Sequence, residues 1–136
     1  MNNKLSPHVT IYKFPITAIS SIATRLTGLY MTSLFVSGGM ICVLDKKEEA
    51  YKKYDEMSMN IKRVFHYSII APLTYHTYGG IRHFIWDRYP SFLNNKSVAK
   101  SSYFLFGASF ISTIAIENIW TTIENMKTIL KNIKEY

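Results

Sequence analysis

Long stretches without a charged side chain are the feature that most constrains this chain. Nineteen residues separate Arg25 from Asp45 and eighteen separate Arg63 from Arg82, and neither stretch contains Asp, Glu, Lys or Arg. A third uncharged run covers residues 101–116. Each run is close to the roughly 20 residues, at about 1.5 Å rise each, that cross a ~30 Å hydrocarbon core. The sequence therefore predicts three transmembrane helices.

The predicted fold is all-α, an integral membrane bundle of three transmembrane helices with an extended N-terminal arm, in a single domain covering residues 1–136. Pro7 and Pro15 favour an extended backbone before each ring, so the arm is predicted over residues 1–16, and His8 on it is interpreted as structural. Pro72 predicts a kink in the second span. The other predicted elements are the spans at about 18–44, 61–87 and 101–123, a charged connector at 45–62 with i, i+4 pairs that would support a short exposed helix, a loop at 88–100, and a polar tail at 124–136.

The amino-acid composition limits the kinds of molecule that this chain is expected to bind. The formal charge of +7 is compatible with nucleic acid or an anionic membrane surface, and the uncharged runs favour the lipid bilayer over nucleic acid. The single Cys42 predicts neither a disulfide framework nor a thiolate metal cluster. The segment before the first span lacks the apolar region of a secretory signal, which predicts either a removed leader or a gene read inside an organelle or bacterium.

Histidines at membrane depth are candidates for function. His76 is the deepest, and Gly79 and Gly80 three and four residues later would clear one helical face beside its imidazole, as a flat macrocycle requires. Alternatively, the glycines serve helix packing and His76 bonds a neighbouring helix. His83 lies on nearly the same face but about 10 Å further along, so it cannot ligate the same iron. The other ligand of a bis-histidine site would have to come from a second polypeptide. His66 is interpreted as an interfacial hydrogen-bonding residue.

Polar side chains also gather at one end of two predicted spans. Ser21 and Arg25 are four residues apart on the first span, and a hydroxyl beside a guanidinium can hold a quinone carbonyl or a haem propionate. Alternatively, Arg25 extends to a lipid phosphate at the membrane surface and Ser21 serves only helix packing. Arg82, His83 and Asp87 form a comparable cluster at the end of the second span on the same side. The two polar ends together predict a site.

Two separated motifs resemble the signatures of the cytochrome b large subunit of succinate dehydrogenase, respiratory complex II. The first comprises residues 6–12 (SPHVTIY), then 16–22 (ITAISSI) and 25–28 (RLTG). The second is residues 76–87 (HTYGGIRHFIWD), a histidine followed by Gly-Ile-Arg-His and an acidic residue. With the three spans, the resemblance covers about residues 6–123.

The resemblance implies a role for each candidate residue. His76 falls on the axial ligand of haem b iron, Arg25 lies near a haem propionate, and His83 lies near the haem edge. Ser21 and Arg25 fall on residues that contact ubiquinone, and Asp87 on an acidic residue near the quinone pocket. The chain would be a subunit of an oxidoreductase without oxidising succinate itself. In the family a flavoprotein takes electrons from succinate, an iron–sulfur subunit carries them to the membrane, and this subunit with a second small anchor binds the quinone.

The sequence departs from the family pattern at two places. Thr24 stands where a histidine is common, which puts one haem propionate contact in doubt, and residues 3–5 lack a common basic-proline pair. A haem-free structural anchor, which Thr24 favours, therefore stays open. A quinol:fumarate reductase anchor also stays open, because the motifs do not distinguish the direction of electron flow.

Orientation and location complete the prediction. Lys and Arg number seven on the N-terminal side and nine on the other, which slightly favours the second side as internal. The resemblance places the N-terminus on the matrix or cytoplasmic side, and we adopt that orientation. The predicted location is the mitochondrial inner membrane, with a bacterial plasma membrane as the alternative.

Overall fold

The computed structural model describes residues 13–134, and four α-helices occupy most of them. They are α1 (Ile16–Val43), α2 (Lys47–Glu56), α3 (Met59–Arg88) and α4 (Asn95–Lys134), with one 3-10 turn (Pro90–Phe92) between α3 and α4. No strand occurs among these described residues, so the predicted all-α class is confirmed there. Residues 1–12, which include His8 and most of the predicted arm, lie outside the described part.

The last helix differs most from the sequence prediction. It begins at Asn95, within the predicted loop, because the side-chain oxygen of Asn94 accepts the backbone N–H of Ser97 at 2.9 Å and so caps its first turn. It ends at Lys134, beyond the predicted span, since charged residues such as Glu124 and Lys127 support a helix through pairs three and four residues apart. The segment predicted as a tail is therefore helical to Lys134. Its 40 residues give α4 a length of about 60 Å.

The connector after α1 folds into a short helix. Asp45 has a left-handed backbone with φ 54°, and Lys46 donates its N–H to the carbonyl of Ile41 at 3.0 Å, which closes the end of α1. The α2 helix follows and is exposed, with Lys53 bonded to Glu49 at 2.7 Å. That ammonium lowers the pKa of the Glu49 carboxyl. The turn brings α2 back beside α3 and α4.

The three long helices pack on one another with a small and mostly polar interior. The α3 helix contacts both α1 and α4, most extensively α4, and α1 also contacts α4. Among the described residues, Tyr75 and Leu105 are the buried hydrophobic side chains. The buried polar side chains are Ser20, Thr74, Arg82, Ser102, Ser109, Thr113 and Glu117. Small residues and interhelical hydrogen bonds are what hold helices together where lipid surrounds them.

Two of the described helices, α1 and α4, are long and apolar enough to cross a membrane. The α3 helix has sufficient length at 30 residues, but it carries His66, Pro72 and His76 among several tyrosines and threonines, and it does not reach the same apolarity. It continues through Pro72 as one helix. The third membrane span therefore stays a prediction.

Candidate functional site

The contact between α1 and α3 is built from small residues on α1. Ser20, Thr24 and Gly28, spaced by four, face α3, and this spacing lets two helices approach closely. The Tyr75 hydroxyl on α3 lies 3.1 Å from the Ser20 carbonyl oxygen and 3.2 Å from its Oγ. A Cβ added at Gly79 would lie 3.2 Å from the Thr24 side chain. The two helices are therefore held in one register at this crossing.

His76 lies in the same contact, one residue after Tyr75. Its Nδ1 is 3.1 Å from the Thr24 carbonyl oxygen and 3.4 Å from the Thr27 hydroxyl. Because a carbonyl only accepts hydrogen bonds, Nδ1 carries the proton and Nε2 keeps its lone pair. Nε2 has no hydrogen-bond partner among the described residues, and the His76 side chain is exposed. A Cβ at Gly28 would lie 2.9 Å from His76 Cε1, so the imidazole occupies the space that this glycine leaves.

The two glycines after His76 have different surroundings. Gly79 is buried against Thr24 and serves helix packing. Gly80, four residues after His76, is exposed, and a Cβ there would meet no atom within 4 Å. The packing interpretation therefore holds for Gly79, while the interpretation that a glycine clears space for a macrocycle stays a prediction for Gly80. The helix surface beside Gly80 is open next to the imidazole.

Ser21 and Arg25 lie beside the α1–α3 contact and outside it. Each follows a contact residue by one position, which turns its side chain about 100° away from α3. Ser21 is half-buried and Arg25 is exposed. Within the described part of the chain, no hydrogen bond or ion pair joins either of them to His76, His83 or Asp87. The structure therefore places them near the start of the contact but off the face of α1 that meets α3.

The predicted cluster of Arg82, His83 and Asp87 is divided between two surfaces. Arg82 turns toward α4, donates from Nη1 to Ser102 Oγ at 3.1 Å, and lies 4.6 Å from the Trp86 ring centre. His83 is exposed and meets the same indole edge-on at 5.3 Å. Asp87 is exposed and forms no ion pair in residues 13–134. Arg82 is thus separated from the other two, because adjacent residues of a helix point about 100° apart. His83 and Asp87 are four residues apart and line one pocket together with Trp86.

A second buried polar group lies at the other end of the bundle. His66 Nε2 is 2.7 Å from the Tyr54 hydroxyl, and His66 Nδ1 is 3.3 Å from Glu117 Oε2 at an angle too poor for a hydrogen bond. Glu117 is only 2% exposed, and the Trp120 indole packs edge-on against His66. Burial raises the pKa of the Tyr54 phenol, and Glu124 adds to the effect. The sequence analysis predicted a hydrogen-bonding role for His66 but missed Glu117, whose signal was an acid inside the third predicted span.

Comparison with known proteins identifies the family. The model of the succinate dehydrogenase/fumarate reductase transmembrane subunit family matches residues 1–116. The chain belongs to this family. The match includes every predicted site residue and ends one residue before Glu117.

Individual members of the succinate dehydrogenase/fumarate reductase family agree with the assignment. A relative from Dictyostelium discoideum, named succinate dehydrogenase cytochrome b560 subunit, mitochondrial, is 32% identical over 113 residues, which cover 80% of this chain and 58% of the relative. The human protein of the same name is 35% identical over 92 residues, covering 63% of this chain and 53% of that protein. A relative from Porphyra purpurea, named succinate dehydrogenase cytochrome b560 subunit, is 29% identical over 120 residues, covering 82% of this chain and 91% of the relative.

The comparisons confirm the family predicted from the two motifs. The matched parts of the Dictyostelium and human relatives are little more than half of their length. Both are named as mitochondrial proteins, and the family is a transmembrane one. The predicted location in the mitochondrial inner membrane is therefore confirmed.

Proposed function

We propose that this chain is the cytochrome b membrane-anchor subunit of a succinate:ubiquinone oxidoreductase, in which His76 is an axial ligand of haem b. The environment of His76 is the observation that carries the proposal. A haem ligand needs a free ring nitrogen, a fixed ring and an open face for the macrocycle. The Thr24 carbonyl at Nδ1, the lone pair on Nε2 and the open surface at Gly80 meet these three needs.

Haem b supplies one-electron redox chemistry when it is bound. The residues of this chain hold the His76 imidazole in place and orient its ring. The hydrogen bond from Nδ1 to the Thr24 carbonyl fixes the tautomer and makes the imidazole a better ligand. Gly28 lets the ring lie close to the α1 backbone, which limits its rotation.

The second axial ligand is proposed to come from a second small membrane anchor. His83 lies about 10 Å along α3 from His76, and His66 lies about 15 Å away in the other direction and is paired with Tyr54 and Glu117. Neither reaches an iron held by His76. The remaining partners proposed for this chain are an iron–sulfur subunit docked at the membrane and a flavoprotein that oxidises succinate.

Ser21 and Arg25 are proposed to bind ubiquinone together with residues of partner subunits. Their hydroxyl and guanidinium groups donate hydrogen bonds, and these bonds strengthen as negative charge develops on the quinone oxygens. Asp87 lies at the same end of the bundle, in the last turn of α3. Because Arg25 is exposed and Ser21 is only half-buried, both could meet a molecule between subunits.

A third membrane span is supported by how α3 satisfies its polar side chains. Thr74 bonds Thr113 at 3.0 Å and Tyr78 bonds Ser112 at 2.7 Å, both on α4. Tyr75 bonds Ser20 on α1. Polar side chains paired across helices are compatible with a membrane interior. We therefore propose that α3 crosses the bilayer between the other two helices.

The test is a reduced-minus-oxidised visible spectrum of the purified native complex. His76→Ala should abolish the b-type band, while His83→Ala should keep it because His83 does not reach the iron. Ser21→Ala should keep the band and lower quinone reductase activity. A full b-type band in an assembled His76→Ala complex would refute the ligand assignment.

The haem-free structural anchor is the second candidate, and Thr24 favours it. The Thr24 hydroxyl donates to the Ser20 carbonyl at 3.0 Å and its methyl faces Gly79, so the side chain is used for packing. An assembled wild-type complex without a b-type band would establish this candidate. Turnover of the complex with ubiquinone and with a low-potential quinone would separate succinate oxidation from fumarate reduction.

A further inference from the structure

The Arg82 guanidinium is a buried charge without a carboxylate partner. The residue is 9% exposed, and no carboxylate of residues 13–134 lies within 4 Å of its nitrogens. Residues 1–12 contain no Asp or Glu in their sequence. Within residues 13–134, no carboxylate side chain therefore neutralises Arg82.

The neutral contacts of Arg82 leave part of the guanidinium unsatisfied. Ser102 accepts one hydrogen bond from Nη1, and the Trp86 ring attracts the cation at 4.6 Å. Nε is buried and has no hydrogen-bond partner among the described residues. A charged group inside a membrane protein is costly unless it is paired, so Arg82 indicates an anion supplied from outside the chain.

Arg82 lines a cavity of about 270 Å³ between α3 and the first turns of α4. The walls are mostly apolar, and the residues that matter here are Ile81, Ile85, Ser97, Ser101, Phe104 and Leu105. Ile81, Ile85 and Phe104 are also exposed on the outer surface of the bundle, where acyl chains lie in a membrane. The cavity thus combines one cation with apolar walls that open toward lipid.

The charges near this cavity are also predominantly positive. Arg88 ends α3, and Lys96 and Lys100 lie in the first two turns of α4. The N-terminus of α4 adds the positive end of a helix dipole on the same side. An anion is the ligand that complements this end of the bundle.

We propose that this cavity binds a phospholipid, with its phosphate on Arg82 and an acyl chain along Ile81, Ile85 and Phe104. A quinone is neutral and would leave the guanidinium uncompensated. Arg82 faces α4 and bonds Ser102, whereas His76 faces α1 and bonds Thr24. The site is separate from the haem and quinone roles and does not depend on them.

The test counts phospholipids that remain on the intact complex. The purified complex is placed in nanodiscs of phosphatidylcholine with a minor fraction of phosphatidylglycerol, and retained lipid is measured by native mass spectrometry. The wild-type complex should keep one phospholipid that Arg82→Gln loses, with retention lowered roughly tenfold or more, the factor expected for a hydrogen bond to a charged group. Arg88→Gln removes an equal charge from an exposed position on the same helix and should retain the lipid.

A second variant keeps the test valid if Arg82→Gln does not assemble. Ile85→Trp fills the cavity from its exposed edge without changing charge, and it should also lose the lipid. Equal lipid retention in wild type and in either cavity variant would overturn the proposal. A wild-type complex that holds no lipid there would also overturn it, and this is the result expected if a carboxylate of another subunit pairs with Arg82. A wild-type complex that binds added inorganic phosphate but no lipid would overturn it as well.

Discussion

Gly28→Ala tests whether the contact between His76 and the α1 backbone determines haem binding. The added Cβ would lie 2.9 Å from His76 Cε1 and 3.4 Å from Nδ1. Carbon atoms pack best at about 3.5–4.0 Å, so the ring must retreat by roughly 0.6–1 Å. The bond from Nδ1 to the Thr24 carbonyl, now 3.1 Å, would then exceed the usual hydrogen-bond distance.

Three effects combine to set the size of the change. Crowding a packed contact costs about 1–3 kcal/mol, and the lost hydrogen bond costs about 1 kcal/mol. Replacing glycine by alanine inside a helix stabilises the helix by up to about 1 kcal/mol, which offsets part of this loss. The expected net loss in free energy of unfolding is about 1–3 kcal/mol. Haem affinity should fall by about 10–100-fold, because the group that orients the ligand is displaced.

Gly38→Ala is the matched control for this prediction. It lies on the same helix, and a Cβ there meets no atom within 4 Å, so it should keep haem and leave stability unchanged or slightly higher. The assay is the b-type absorbance per assembled complex, followed through a thermal melt. Equal haem content and equal melting temperature in the two variants would refute the reasoning.

Two further substitutions test other parts of the structure. In Gly80→Leu the new side chain occupies open space beside His76, so the variant should assemble but lose the b-type band. Gly107→Leu, at an equally open position on α4, should keep the band. A Gly80→Leu complex with normal haem content would show that the haem binds elsewhere. Glu117→Ala removes the carboxylate that lies beside the half-buried His66 and accepts from the Thr121 hydroxyl, and it should lower the free energy of unfolding by roughly 1–3 kcal/mol. Glu49→Ala on the exposed α2 should have no measurable effect, and identical thermal melts for these two variants would contradict a stabilising role for Glu117.

The helices and the central histidine were accessible from the sequence because each depends on local information. The uncharged runs predict long helices, and His76 lies in the middle of one of these runs, so its place within α3 followed from the sequence. The end of α4 was missed because apolarity was used to place it, whereas the helix continues on side-chain pairs such as Lys127 with Glu124.

The direction of each polar side chain was not accessible from the sequence in the same way. Spacing shows which residues share one face of a helix, but not which neighbouring helix that face meets. Arg82 and His83 are adjacent in sequence and belong to different surfaces, while His66 and Glu117 are 51 residues apart and form one pair. Only the packing of α3 between α1 and α4 distinguishes these cases.

The polar interior of the bundle has a thermodynamic consequence. Unfolding of a water-soluble domain has a large positive heat-capacity change because it hydrates apolar surface. Here Tyr75 and Leu105 are the buried hydrophobic side chains of the described residues, and most other apolar groups already face outward. Separating the helices within lipid would hydrate little additional hydrocarbon. The heat capacity of helix separation should therefore be small, so its free energy should vary almost linearly with temperature and show no cold denaturation.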